Sequence, residues 1–291
     1  MGKHQPQRIL VLGTRLGEFT SFWHQEMVPA KGFIHVDLDP NVPGVAYPDV
    51  ETLAIQGDVD GFIQALLGHL PQHPQHLPVG QFPQPTFPTL IPQSTGRVRP
   101  AMLMGAIQRV IVEGSNALIM TEAGNSCAWG SHLLQFTQPG RYRVSTGFGA
   151  MGHATTGVVG AAMGHQGKAV AIVGDGAMLM NCEISTAVRY NIPAVWIVLN
   201  DARYNMCAQG NGMRGFEEVD TGIPETDFVQ FARSMGADGI RVEQEIELEE
   251  ALTKAMHSTA PFVVDVIIDP TCVAPIGSRV KSLIVQDYTQ F

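Results

Sequence analysis

An α/β fold built on parallel sheet is predicted for this chain by three observations. Short apolar runs of strand length recur at residues 8–12, 33–39, 117–121, 142–145, 169–173, 194–199 and 262–268. Stretches long enough for a helix separate most of them, as parallel pairing through right-handed crossovers requires. Two of the runs lead directly into acids: Asp175 lies between Gly174 and Gly176, and Asn200-Asp201 closes the next run. Strand, acid, helix, strand, acid puts two oxygen donors at one edge of a parallel sheet, the edge where open α/β sheets bind ligands.

Length and composition bound what this fold can be doing. A chain of 291 residues holds one large or two moderate domains and can bury a real core. The net charge is −9 and no basic cluster stands out, which argues against a nucleic-acid surface. Cysteines 127, 182, 207 and 272 form no close pair, so they read as reduced thiols. The first residues lack a basic-then-apolar leader, and no apolar run approaches the length of a membrane span. A cytoplasmic enzyme is the expectation.

Three segments are expected. Residues 1–67 hold a βαβ-like unit, with strands at 8–12 and 33–39 and a closing helix at 61–67. Some sixty residues are few for a self-sufficient α/β layer, so this sheet is expected to be completed elsewhere. Residues 68–100 are dense in Pro and Gln, a composition that excludes helix and favours an extended linker. His69, His73 and His76 lie there, but proline-broken spacing defines no metal-binding face. Residues 101–291 carry the remaining strands, an opening helix at 101–114 and a late helix at 243–257 rich in Glu, Leu and Ala.

The chemistry concentrates between Gly174 and Met206. Glycines on both sides of Asp175 let backbone N–H groups approach a phosphate, and a following helix N-terminus favours negative charge. Hard oxygen ligands beside such a cradle suit Mg²⁺, which binds through one or two carboxylates and phosphate oxygens. A metal-bridged diphosphate is the prediction.

GDG followed at this spacing by Asn-Asp resembles the cofactor motif of thiamine-diphosphate-dependent enzymes, nearest to the acetolactate synthase, pyruvate oxidase and benzoylformate decarboxylase group. The resemblance implies that Asp175 and Asp201 bind the metal through side chains and Arg203 through its carbonyl. Asp201 stands where Asn is more usual, keeping an oxygen and adding a charge. It further implies cofactor contacts from Gly174, Gly176 and Ala177, from Tyr204, Asn205 and Met206, and from Asn125 and Ser126 in the loop after residues 117–121. The run Gly147-Phe-Gly149-Ala-Met-Gly152 matches that family's pyrimidine loop, with Met151 wedged beneath the thiazolium and Gly149 offering a carbonyl. The same run also spells GxGxxG, the fingerprint of a nicotinamide or flavin dinucleotide fold. That rival leaves Asn200-Asp201 unexplained and requires a ribose-binding acid at a strand end, whereas Asp175 opens a helix. His153 and Cys207 are expected near the pocket without a catalytic role.

The N-terminal segment is similar to the second half of the same family's central domain, on residues 10–16, 35–40 and Gly57-Asp58. Some relatives bind FAD there; it is not expected here. The implied architecture is a three-layer diphosphate-binding domain after a partial Rossmann-like segment. The family's pyrimidine domain and its glutamate find no counterpart in this chain. One subunit of a split α₂β₂ enzyme is therefore expected, with a partner subunit supplying both. Its substrate would be a 2-keto acid and its reaction carboligation. Simple decarboxylation, a non-catalytic cofactor-binding module and the dinucleotide oxidoreductase are the alternatives. Neither nucleic acid nor membrane is an expected partner.

Overall fold

The computed structural model describes residues 6–21, 23–70, 90–145, 147–180, 183–216, 219–277 and 279–281. Most of the 68–100 linker, including His73 and His76, lies outside the described residues, as do Cys182 and the last ten residues. The chain divides into two compact units, one within 1–86 and 278–291, the other within 87–277.

The first unit is a parallel sheet of β1 (Ile9–Leu12), β2 (Phe33–Asp37) and β3 (Thr52–Gln56), in that order. A short helix α1 (Glu18–Ser21) and a 3₁₀ turn connect β1 to β2, where a crossover helix was expected. The longer helix α2 (Val59–His69) follows β3 and is capped by Asp58, whose carboxylate accepts from Gly61 N at 2.8 Å. Strand β3 was missed because it is short, polar at both ends and mostly solvent-facing. The core is small, made of Val11, Leu16, Phe33 and Tyr47, with the two rings 5.5 Å apart. No residue of α2 is fully buried, and Leu53, Leu67 and Leu70 are exposed.

The second unit is a six-stranded, all-parallel sheet in the order β5-β4-β6-β7-β9-β8. Its elements in chain order are α3 (Pro100–Ile107), β4 (Leu118–Thr121), α4 (Asn125–Leu133), β5 (Tyr142–Val144), α5 (His153–His165), β6 (Ala169–Gly174), α6 (Asp175–Met178), α7 (Glu183–Arg189), β7 (Ala194–Asn200), α8 (Asn205–Met213), α9 (Phe228–Ser234), β8 (Asp238–Val242), α10 (Leu248–His257) and β9 (Phe262–Ile267). Every residue of β7 is buried. Its alternate side chains serve two cores: Val195, Ile197 and Leu199 pack with Leu103, Ile107 and Leu252, while Ala194, Trp196 and Val198 pack with Val158, Ile184 and Phe228. Helices therefore cover both faces, the condition under which a parallel strand reads as a continuous apolar run.

Three local readings change. The helix expected over 101–114 is α-helical only to Ile107, and residues Gln108–Glu113 form a wider π turn. The β-branched run Val110-Ile111-Val112 disfavours a tight helix there. The late helix begins at Leu248 because β8 extends to Val242 and a 3₁₀ turn intervenes. Strand β8 itself, DGIRV, escaped notice because it is a half-exposed edge with two charged residues. Residues 90–99 also belong to this unit. Buried Glu245 accepts from Arg99 Nε at 2.7 Å, from Arg99 Nη2 at 2.8 Å and from Gln93 N at 2.7 Å.

Chain order reverses between β4 and β6: the segment after β4 leads outward to β5, and the segment after β6 leads the other way to β7. A crevice opens at the C-terminal ends of strands where that happens.

Candidate functional site

Register brings the two acids together. Gly174 of β6 pairs with Leu199 of β7, so Asp175 and Asn200-Asp201 leave the sheet side by side. Asp175 is buried, and its Oδ1 accepts from Gly176 N at 2.7 Å. Its Oδ2 accepts from Asp201 N at 3.1 Å and Arg203 N at 3.3 Å. Both N–H groups reach one oxygen because Ala202 between them takes a left-handed conformation, φ 55°, a strained choice for a residue with a Cβ. The second glycine of the motif is held to its size by a neighbour. A Cβ on Gly176 would lie 2.5 Å from Tyr204 Cε1, inside the ring's contact distance.

The Asn-Asp pair divides its labour. Asn200 Nδ2 donates to Asp265 Oδ1 at 2.8 Å and Thr226 O at 3.0 Å, so its amide nitrogen braces the end of β7. Asp201 Oδ2 accepts from Asn205 Nδ2 at 2.6 Å. The Arg203 carbonyl accepts from Asn205 N at 2.8 Å, which leaves it one lone pair.

Electrostatics favour a cation here. Burial pushes Asp175 above the ordinary carboxylate range, against the pull of its backbone N–H donors. Burial first, and the charge of Asp175 second, lift Asp201 to about 6. Two buried acids, the second raised further by the charge of the first, are the arrangement a divalent cation relieves. Among the described residues no three His, Cys, Asp or Glu side chains converge as a self-contained metal site. Two carboxylates and a carbonyl would need ligand oxygens to fill the shell, which is the donor set Mg²⁺ takes with a phosphate. The residues present fit a metal–diphosphate group.

Two loops face these acids. Gly124, at φ 117°, turns the chain from β4 into α4, whose first N–H groups belong to Asn125 and Ser126. Ser126 Oγ donates to Glu122 O at 3.0 Å, so its backbone N–H is what it offers an anion. Asn125 Nδ2 is turned toward Gln209 Oε1 at 3.4 Å, and its Oδ1 is buried without a partner. The second loop, residues 147–152, carries Gly149 at φ 72° and half-exposed Met151 into α5. Buried Glu122 ties the two loops together: its Oε2 accepts from Ala154 N at 3.1 Å, Thr155 N at 3.0 Å and Thr155 Oγ1 at 2.7 Å. A carboxylate at the first turn of α5 also suits the helix dipole.

One cavity of about 230 Å³ collects the residues expected from sequence. Asn125, Ser126, Gly149, Met151, Gly174, Asp175, Gly176, Ala177, Asp201, Arg203, Tyr204, Asn205 and Met206 all line it, and Cys207 does too. His153 opens α5 and is not among the lining residues. Helix α6 is a single turn, shorter than the phosphate-binding helix expected after Gly176. Sequence reading missed Glu122, Gln209 and Asp265, whose partners lie 32, 84 and 65 positions away and leave no local signal. The apolar run Ala117–Met120, two positions before Glu122, was the one available hint of a buried acid.

Comparison with known proteins bears on this geometry. Residues 122–266 match the family described as thiamine pyrophosphate enzyme, C-terminal TPP binding domain. A Mycobacterium tuberculosis protein provisionally named acetolactate synthase large subunit IlvB2 is 33% identical over 241 residues, covering 81% of this chain and 43% of that protein. An acetolactate synthase of Mycobacterium avium is 27% identical over 279 residues, covering 89% and 44%. One of Bacillus subtilis is 34% identical over 155 residues, covering 52% and 27%. The chain spans less than half the length of these relatives.

Proposed function

We propose, from the premise that residues 122–266 are a thiamine pyrophosphate enzyme C-terminal domain related to acetolactate synthases, that this chain is the metal- and diphosphate-binding subunit of a thiamine-diphosphate-dependent carboligase acting on a 2-keto acid. The observation that carries the reading is the cavity in which Asp175, Asp201, the N-terminus of α4 and Met151 converge at the reversal of strand order.

When bound, thiamine diphosphate supplies a nucleophilic carbon that adds to the keto carbonyl and takes up the electrons left by CO₂. The chain's own work is to hold and shape. Asp175 and Asp201, with the Arg203 carbonyl, would hold Mg²⁺, and the backbone N–H groups opening α4 would take phosphate oxygens. Met151 would support the cofactor from below, a packing role that an unbranched polarizable side chain fills well. Tyr204 and Met206 also line the cavity and would help exclude water.

The reading assigns the pyrimidine-binding domain and its glutamate to a partner subunit, in an α₂β₂ assembly. Support comes from apolar side chains in the segments that flank lining residues, where Phe148 is 94% exposed and Leu179 and Met180 stand half in solvent. Patches of this kind mark interaction sites. The first unit offers Leu53, Leu67 and Leu70 on its own surface. Free thiols at Cys127, Cys207 and Cys272 suit a cytoplasmic setting, and among the described residues no helix is long and apolar enough to cross a membrane.

Calorimetric titration of thiamine diphosphate with Mg²⁺, into the chain alone and co-purified with its genomic neighbour, tests the reading. Metal-dependent binding is the expected result, tightest in the complex, followed by acyloin formation from a 2-keto acid. Aldehyde as sole product would turn the reaction to decarboxylation. Absence of binding in both samples would overturn the proposal.

A further inference from the structure

On helix α8 the amides of Asn205 and Gln209 lie four residues apart and therefore on one face. Each joins the cavity to the segment that follows β9. Asn205 Nδ2 donates to Asp201 Oδ2 at 2.6 Å and to Pro270 O at 3.1 Å, which uses both of its hydrogens. Gln209 Nε2 donates to Cys272 O at 3.0 Å, while its Oε1 accepts from Ala274 N at 3.0 Å and Asn125 Nδ2 at 3.4 Å. A carbonyl on one side and an N–H on the other leave the Gln209 amide a single orientation. That orientation directs the Asn125 amide in turn, with its NH₂ toward Gln209 and its buried Oδ1 unpartnered.

The segment 269–276 is a firm anchor for this relay. Asp269 N donates to Val98 O at 2.9 Å, and Asp269 Oδ1 accepts from Thr271 N at 2.9 Å and Thr271 Oγ1 at 2.7 Å. Ala274 and Ile276 are buried.

We propose that Asn205 and Gln209 are positioning residues that set the two halves of the cofactor site separately, each borrowing its rigidity from segment 269–276. Asn205 holds the Asp201 carboxylate by one oxygen and leaves the other for the metal. Gln209 holds Asn125 at the start of α4, so that its backbone N–H meets the diphosphate and its Oδ1 accepts from a donor such as a metal-bound water. A phosphate oxygen, which only accepts, cannot be that partner. The inference rests on the thiamine-diphosphate reading above.

The test separates the two halves in the full chain co-purified with its partner. Calorimetry measures thiamine diphosphate affinity at saturating Mg²⁺, and Mg²⁺ dependence at saturating thiamine diphosphate. Gln209→Ala is expected to weaken thiamine diphosphate about tenfold while the Mg²⁺ requirement moves less than about twofold. Asn205→Ala is expected to do the reverse, raising the Mg²⁺ requirement about tenfold. Gln209→Glu keeps the acceptor for Ala274 N and Asn125 but sets an oxygen against the Cys272 carbonyl, and should restore the affinity only in part. Ala274→Pro removes that N–H from the other side and should reproduce Gln209→Ala, so a poorly folding first variant does not remove the test. Equal shifts of both affinities in each variant, or none, would overturn the inference and leave the thiamine-diphosphate reading standing. Failure of the unaltered complex to bind thiamine diphosphate would overturn both.

Discussion

Two parallel sheets in one chain are finished to different degrees. In the six-stranded sheet each central strand is covered on both faces, and β7 has no exposed residue. In the three-stranded sheet the packed core cluster holds four buried apolar side chains, and the helix that follows β3 has no fully buried residue. Parallel sheets occur almost only with both faces covered. The larger unit satisfies that rule from its own residues, whereas the smaller one presents leucines to solvent. A sheet that closes its own core can carry a precise site; on the proposed reading, the one that does not is where a partner would join.

The sharpest way to break this comparison is to truncate one large side chain in each unit. Trp196→Ala removes an indole shared by β7 and α5, with its Nε1–H on Thr155 O at 2.7 Å, and should cost about 3–5 kcal/mol in chemical denaturation. A loss below about 1 kcal/mol would mean the larger core is looser than its burial implies. Next in size, Asp175→Asn should reduce Mg²⁺-dependent thiamine diphosphate binding on the order of a hundredfold, about 2.7 kcal/mol, read by calorimetry on the partnered chain. Glu122→Ala strands three donors at the start of α5. It should cost about 2 kcal/mol of stability, and Glu122→Gln should cost less.

A pH effect of smaller size follows from Asp201. Its carboxyl is raised from 3.8 to about 6 in the folded chain, so folding takes up a proton between those values. The metal-free protein should therefore lose stability as pH rises through that window, and saturating Mg²⁺ with thiamine diphosphate should flatten the slope. Melting temperatures at a series of pH values, with chelator and with Mg²⁺ plus cofactor, check both statements. Smallest of all, Leu53→Ala on the open sheet should change stability by less than about 0.5 kcal/mol. It should nevertheless weaken capture of the co-expressed partner, which a co-purification measures.

The contrast between the sheets also explains what could be read in advance. Strands β6 and β7 were legible because burial on both faces makes them unbroken apolar runs, and the acids were legible because they end those runs. Strands β3 and β8 were not, since a half-exposed edge strand mixes polar and apolar residues with no run to see. The acids and glycines of the site announced themselves by spacing along the chain. Glu122, Gln209 and Asp265 meet partners brought near by the strand crossovers, and no spacing rule encodes those crossovers. The bracing contact of Asn200 has the same origin, since Asp265 lies 65 positions away.

The Glu122 carboxylate has one consequence for what the cavity can admit. By joining the loop after β4 to the first turn of α5, it ties the separation between the first N–H groups of α4 and Met151 to one carboxylate. On the proposed reading those two points grip opposite ends of a single molecule. The clamp then works as a ruler, and a compound with the right charge but the wrong length satisfies only one end of it.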